Sequence, residues 1–338
     1  GDVNGDGYDD VIIGSPGFTN TSAEEGRAYL FYGTNSVQGL SSQPAWTVDG
    51  GSGFAWLGTW VAGVGDVNGD GYGDVLIGAP GIATVFCYLG GAHGLSATPA
   101  WKVGGTTEDF EVLAWGGAKA GDVNGDGYDD VALQGELQGL PGRRVFVYFG
   151  GPNGLSAGNA WMIGSEYASV SVASAGDVND DGYGDLIVGE ASLAESDPPV
   201  PGKASVYLGG PLGLSSNPTW ISEGRTFFGI SVSSGGDTDG DGFGDLVVGS
   251  PMYASQPFSG LSGFTVFNGP LESKNFTGWV RGGPGGGAWL RDHGRTKDIS
   301  NLLPVPLLKS ADGCSNVVRV KLVYDPIAKR DRVVVDYS

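Results

Sequence analysis

Five short stretches of the chain set oxygen donors at alternate positions. They read GDVNGDGYDD from Gly1, GDVNGDGYGD from Gly65, GDVNGDGYDD from Gly121, GDVNDDGYGD from Gly176 and GDTDGDGFGD from Gly236. In the first, Asp2, Asn4 and Asp6 offer side-chain oxygens, Tyr8 a backbone carbonyl and Asp10 a carboxylate. Gly7 permits the bent backbone that closes the turn. The equivalent sets are Asp66, Asn68, Asp70, Tyr72 and Asp74, then Asp122, Asn124, Asp126, Tyr128 and Asp130. Asp177, Asn179, Asp181, Tyr183 and Asp185 form the fourth, and Asp237, Asp239, Asp241, Phe243 and Asp245 the fifth. An all-oxygen set of roughly six or seven donors suits a hard cation of Ca²⁺ size, and Mg²⁺, with its stricter octahedral demand, ranks second. The expectation is about five Ca²⁺ ions, one per loop. A plain Asn/Asp-Gly turn needs no ion, but five copies argue for a shared ligand. Asp239 adds a charge in place of the usual Asn, so the fifth loop should hold its ion at least as tightly as its sisters. An EF-hand would place its final acid at position 12 and continue as a helix. Here the loop's last acid precedes an apolar, strand-like run, and that reading fails.

Other reactive patterns are weaker. Gly154-Leu155-Ser156-Ala157-Gly158 fits the GxSxG form of a nucleophile elbow, which needs a strand-to-helix turn with His and acid partners. The same Gly-Leu-Ser recurs at Gly39, Gly94 and Gly213, each time as a turn before a Trp-containing strand. The two histidines, His93 and His293, lie in a variable turn position and an irregular stretch. Cys87 and Cys314 form no CxxC pair. No catalytic residue is expected, and the chain reads as a non-enzyme.

The elements that must hold the loops repeat with them. Successive loops begin 64, 56, 55 and 60 residues apart, a period suited to a four-stranded propeller blade. Each loop leads into an apolar run (DVIIGSP, DVLIGAP, DVALQGE, DLIVGEA, DLVVGSP), and a second run follows after a variable loop. Then come a turn and the strand centred on Trp46, Trp101, Trp161, Trp220 or Trp279, and a small-residue strand leads into the next loop. The predicted fold is all-β: a β-propeller of four-stranded antiparallel blades. Five clear repeats span residues 1–280 and a degenerate final blade spans 281–338. That makes six blades in this chain, and seven with an upstream part. The alternative for 281–338 is the start of a separate β-sandwich. Ring closure is expected to set Asp331–Tyr337 beside the N-terminal unit.

Charge narrows the partners. The net charge is −20, with 18 Lys and Arg against 38 Asp and Glu. A basic face for nucleic acid is missing, and no stretch approaches the ~20 apolar residues of a membrane-spanning helix. Ten of the bases lie in residues 281–338, against six acids there.

The units resemble the FG-GAP repeats of integrin α subunits and their bacterial relatives. Phe228-Gly229 precedes the loop at Asp237, Gly78-Ala79-Pro80 follows the loop at Asp66, and Gly14-Ser15-Pro16 and Gly249-Ser250-Pro251 are variants. The resemblance implies a propeller whose Ca²⁺ loops join the first two strands of each blade, with ligands on the opposite face. On this basis the chain is expected to be a secreted or cell-surface module for adhesion or protein recognition. A glycan-binding propeller, or the non-catalytic propeller of a larger secreted enzyme, is the alternative. The recurring tryptophans are expected to pack between blades, and Trp56, Trp60, Trp115 and Trp289 to serve a ligand surface. Glu24, Glu25, Glu108, Asp109, Glu111, Glu136, Glu166, Glu190, Glu195, Asp197 and Glu223 are expected to gather opposite the Ca²⁺ loops as a platform for a basic partner.

Overall fold

A computed structural model describes residues 1–36, 39–104, 110–137, 142–167, 169–192, 200–224, 227–238 and 243–250. It also describes the strand backbone at 263–267, 278–282, 288–292, 295–298, 317–325 and 330–337. The chain is an all-β propeller built from consecutive antiparallel blades. The first comprises β1 (Val11–Ser15), β2 (Arg27–Phe31) and β3 (Trp46–Asp49). The next three are four-stranded, each paired in chain order. They are β4 (Trp60–Gly65), β5 (Asp74–Ala79), β6 (Thr84–Tyr88) and β7 (Trp101–Gly104), then β8 (Phe110–Gly121), β9 (Asp130–Leu137), β10 (Arg143–Tyr148) and β11 (Trp161–Ser165). The fourth blade is β12 (Ser169–Gly176), β13 (Asp185–Ala191), β14 (Gly202–Tyr207) and β15 (Trp220–Gly224). A fifth sheet holds β16 (Ser231–Gly236), β17 (Asp245–Ser250) and β18 (Gly263–Phe267).

Among the first five sheets, each pair of neighbours shares one core. Val64, Leu76 and Cys87 of the second blade meet Leu133, Phe146 and Tyr148 of the third, and the same layering continues on both sides. A strand wedged between two such cores is buried on both faces, so β5 and β13 carry unbroken apolar runs at 75–77 and 186–188. Glycines that flank the Asp-rich loops form the joint between blades. Gly229, at φ +84°, donates its N–H to the Gly249 carbonyl at 3.0 Å. Its own carbonyl presses on Gly189 of the preceding blade, where an added Cβ would stand 2.1 Å from that oxygen.

Four of the five recurring tryptophans pack between blades, as expected, and the side chain of the fifth, Trp279, lies outside the described residues. Trp46, Trp101 and Trp161 meet Tyr88, Tyr148 and Tyr207 of the next blade edge-on, at 5.0, 5.1 and 5.0 Å between ring centroids. Each indole N–H donates to a carbonyl of the next blade's turn: Ser96 at 3.2 Å, Ser156 at 3.0 Å and Ser215 at 3.1 Å. Trp220 meets Phe267 at 4.8 Å. The Ser156 hydroxyl closes its own turn, donating to the Gly158 carbonyl at 3.0 Å, so it serves packing.

The tail differs from expectation. β19 (Gly278–Gly282), β20 (Ala288–Asp292), β21 (Arg295–Asp298), β22 (Val317–Asp325) and β23 (Arg330–Tyr337) form one five-stranded sheet in the order β21-β20-β19-β22-β23. Trp279 therefore sits in β19, between β20 and β22, instead of on the outer strand of the fifth blade. β23 pairs along its whole length with β22 and not with the N-terminal unit. The physical reason is length: these two strands of nine and eight residues form a hairpin more extensive than any pairing open to a four- or five-residue strand.

Because the blades are antiparallel meanders, their loops alternate between two ends. The Asp-rich loops (β4–β5, β8–β9, β12–β13, β16–β17) and the Gly-Leu-Ser turns lie at one end. The loops after the GAP-like segments and those between blades lie at the other.

Candidate functional site

The first four Asp-rich loops are each wound around their first carboxylate. Asp2 Oδ1 accepts the N–H of Gly5 at 2.7 Å and of Asp6 at 3.2 Å, and Oδ2 accepts that of Gly7 at 2.8 Å. Asp66 and Asp122 repeat the pattern, at 2.6, 3.0 and 2.6 Å and at 2.7, 3.1 and 2.8 Å. Burial pushes the Asp2 carboxyl up, but the amides of Gly7, Gly5, Asn4 and Asp6 outweigh it and hold the group below the usual carboxylate range. The Asn side chains stand beside the middle carboxylates: Asn4, Asn68, Asn124 and Asn179 each donate Nδ2–H to Asp6, Asp70, Asp126 and Asp181, at 3.1, 2.9, 2.9 and 2.8 Å.

The last acid of each loop has a role that its spacing did not disclose. Asp10, Asp74, Asp130, Asp185 and Asp245 are all buried. Asp74 Oδ2 accepts Val67 N–H and Oδ1 accepts Gly90 N–H, both at 2.8 Å, which clamps the loop to the end of β6. Asp10, Asp130 and Asp185 make the same pair of bonds, to Val3 and Gly33, Val123 and Gly150, and Val178 and Gly209. Asp245 accepts from both the amide and the hydroxyl of Thr238. A signal was present in the sequence: a glycine closes the second apolar run of every unit, and in the first four it is the clamp's partner.

The carboxylates of a loop stand close enough to oppose one another. Burial pushes the Asp74, Asp130 and Asp185 carboxyls up to about 6, 7 and 6. Their amide bonds counter this, and the negative charges of Asp70 and Asp66, of Asp126 and Asp122, and of Asp181 and Asp177 add to it. Among the described residues no three His, Cys, Asp or Glu side chains already stand together as a filled metal site would have them. The donor sets are mixed, with Asn and main-chain oxygens alongside Asp, and a carboxylate keeps lone pairs beyond those used by one amide on each oxygen.

The fourth loop supplies the direct test of fit. In the third loop the Asp126 N–H is shared between Asp122 Oδ1 at 3.1 Å and Asn124 Oδ1 at 3.0 Å, whereas in the fourth loop, where Asp180 replaces glycine, the Asp181 N–H keeps only the bond to Asp177 Oδ1 at 3.1 Å. Asn179 Oδ1 is left buried without a hydrogen-bond partner. A buried, orphaned oxygen among acidic side chains is the environment a hard cation satisfies. The oxygen donors of the fourth loop are of the type such an ion takes. In the fifth loop Asp239 and Asp241 lie outside the described residues.

The opposite end is irregular. Glu24, Phe54 and Trp56 have φ of +46°, +58° and +52°, values rare for residues with a Cβ. The Trp56 indole donates to Glu24 Oε2 at 2.9 Å, and Phe54, Trp56 and Trp115 are exposed. Trp60, expected on a ligand surface, instead lies on Gly78 and Gly117 and packs against the core shared by the second and third blades. The side chain of Trp289 lies outside the described residues. The acids expected at this end are partly consumed by the fold. Glu25 is buried and accepts the N–H groups of Asn20 and Thr21 at 2.9 and 2.8 Å. Glu190 pairs with Lys203 at 2.9 Å and Glu136 with Arg143 at 3.5 Å. Glu166 and Glu223 are exposed. Glu108, Asp109, Glu195 and Asp197, and the side chain of Glu111, lie outside the described residues.

Comparison with known proteins agrees with these joints and loops. The FG-GAP repeat matches residues 1–31, 58–84 and 228–262. The chain is 29% identical over 205 residues to integrin alpha-5 of Xenopus laevis, covering 55% of this chain and 19% of that protein. It is 32% identical over 142 residues to integrin alpha-IIb of Mus musculus, covering 39% and 14%. It is likewise 32% identical over 143 residues to integrin alpha-PS3 of Drosophila melanogaster, covering 39% and 12%. The chain thus spans less than a fifth of the length of these relatives.

Proposed function

We propose that this chain, an integrin-like FG-GAP propeller, is a calcium-stabilised recognition module that works outside the cell. One end of the blades serves as scaffold and the other meets a protein partner. The observation that carries the reading is the contrast between the two ends. At the Asp-loop end the same carboxylate clamps recur in blade after blade. At the other end each loop differs, and non-glycine residues are held at positive φ beside exposed aromatics. Such strain persists where surrounding structure over-determines it, and it concentrates at ligand clamps.

The scaffold reading assigns Ca²⁺ to the sets headed by Asp2, Asp66, Asp122, Asp177 and Asp237. Bound Ca²⁺ would relieve the repulsion within each set. The chain's own groups do the rest: position-nine carboxylates hold loop to blade, and first carboxylates hold the turn. No catalytic step is proposed.

The recognition surface comprises Phe54, Trp56 and Trp115 with the exposed Glu24, Glu166 and Glu223. Large aromatics at low entropic cost are the usual anchors of protein interfaces. Fewer free acids remain here than the sequence suggested, so charge steers the encounter and the aromatics hold it. Panning displayed peptides against the protein in Ca²⁺ tests the assignment. Binders should lose affinity for a Phe54→Ala/Trp56→Ala variant and keep it for Leu212→Ser, a change at the fully exposed tip of a turn at the opposite end. Binders that respond only to Leu212→Ser, or that footprint on the Asp loops, refute the assignment.

A further inference from the structure

The Asp-rich loops are not independent of one another. The carbonyl of a loop's first acid accepts an N–H from the loop of the next blade: Asp2 from Gly73 at 2.8 Å, Asp66 from Asp129 at 3.0 Å, Asp122 from Gly184 at 2.7 Å and Asp177 from Gly244 at 3.1 Å. In each case the donor immediately precedes that loop's buried clamp residue. One residue on, the carbonyls of Val3, Val67 and Val123 accept from Gly91, Gly151 and Gly210, at 2.9, 2.9 and 3.0 Å.

The aromatic residue of each loop completes the joint. The ring of Tyr72 covers Gly5 of the loop before it, where a Cβ would stand 2.7 Å from Cε1. Tyr128 covers Gly69 and Tyr183 covers Gly125 in the same way, at 2.7 and 2.5 Å. These glycines are held at φ of +75°, +73° and +75°, so the ring and the left-handed backbone each require the other. Between the second and third loops there is a further latch. The Asp129 carboxylate accepts the N–H of Asp66 at 2.9 Å, and the Lys119 ammonium stands 2.8 Å from it.

We infer that each of the first three cation sites is finished by the blade that follows it: Tyr72, Tyr128 and Tyr183 are positioning residues for the loop before their own, and Asp129 latches the second loop. Filling one loop therefore raises the cation affinity of its neighbour. The joint between the fourth and fifth loops is built differently, because Asp180 takes the glycine position at φ +59° and Phe243 replaces tyrosine. The inference rests on the proposed binding of Ca²⁺ by these loops. A coupling free energy acts in both directions and ordinarily changes affinity by roughly 5- to 150-fold.

Hydrogen exchange read by mass spectrometry, with Ca²⁺ titrated into the full chain, gives a separate calcium midpoint for each loop. In Tyr128→Ala the midpoint of the loop at 66–74 should rise about fivefold or more. The loop at 1–10 should move less and that at 237–245 not at all, and Tyr128→Phe should restore the wild-type midpoints. If Tyr128→Ala fails to fold, Asp129→Gly carries the same test, because glycine already holds this place in the second, fourth and fifth loops. It should raise the midpoint at 66–74 and leave 177–185 unmoved. A shift confined to the loop at 122–130, or an equal shift in all loops, overturns the coupling while calcium binding stands. No calcium-dependent protection in the wild type overturns both.

Discussion

The buried clamp offers the sharpest test, because it separates a structural carboxylate from a metal ligand. Asp130 is fully buried and accepts the N–H groups of Val123 and Gly150, both at 2.9 Å. Asp130→Ala leaves two buried donors unpaired, at about 1–3 kcal/mol each. The gross loss is then about 2–6 kcal/mol. Removing a carboxyl whose pKa burial has pushed up to about 7 returns part of that, so about 2–4 kcal/mol is the expected cost in EDTA. Asp130→Asn keeps one acceptor but turns an NH₂ toward the second amide, and should lose about 1–3 kcal/mol. Asp126→Ala is the control. Its side chain meets only exposed groups of its own loop, so in EDTA it should stay within about 0.5 kcal/mol of wild type. Guanidinium unfolding followed by tryptophan fluorescence, in EDTA and in Ca²⁺, reads all three. In Ca²⁺ both Asp126→Ala and Asp130→Ala should lose stability, whereas in EDTA only the position-130 variants should. If Asp130→Ala and Asp126→Ala are alike and both neutral in EDTA, the clamp is wrong and Asp130 is a ligand only.

The same carboxylates set a pH dependence. Asp74, Asp130 and Asp185 have folded pKa values near 6, 7 and 6, above the unfolded value of about 3.9, so the folded state binds more protons across that window. Metal-free protein should therefore lose stability as pH rises from about 4 to about 7, and Ca²⁺ should flatten the slope; melting in EDTA that improves across this range counts against the reading. For the blade joints, Trp101→Phe removes the 3.0 Å bond to the Ser156 carbonyl and should cost about 1 kcal/mol, whereas Trp101→Ala also removes the ring on Tyr148 and should cost about 3 kcal/mol or more. A cost below about 1 kcal/mol for Trp101→Ala in guanidinium unfolding shows that the ring is not a joint.

Much of the fold was legible because the blade is a local unit repeated in order. Alternating apolar runs, glycine corners and a tryptophan at a fixed place disclose four strands and their sequence neighbours, and antiparallel meanders then leave one topology. What stayed hidden depends on contacts one unit away. Tyr72 reads within its own loop as the donor of a carbonyl, but its ring belongs to Gly5, 67 residues earlier in the chain. Trp60 looked like a surface aromatic because its spacing broke the pattern, while the glycines that receive it lie in a neighbouring strand and in the next blade. Glu25, Glu136 and Glu190 read as free acids because the amides and bases that consume them are set by loop geometry.

The tail shows where that local logic ends. In the second to fourth units the loop fixes register, since its clamp ties strand two to the end of strand three and its tyrosine ring lies on a glycine of the preceding blade's loop. Residues 281–338 contain no such loop. Nothing there selects the short strand around Trp279 as the outer edge of a blade, and the long β22–β23 hairpin captures it instead. Blade order in this protein is therefore a property of the Asp-rich loops as much as of the apolar strands. It follows that the buried last acids, Asp10, Asp74, Asp130 and Asp185, belong both to the proposed cation sites and to the fold. Cation removal should accordingly loosen the order of the blades before it unfolds any one of them.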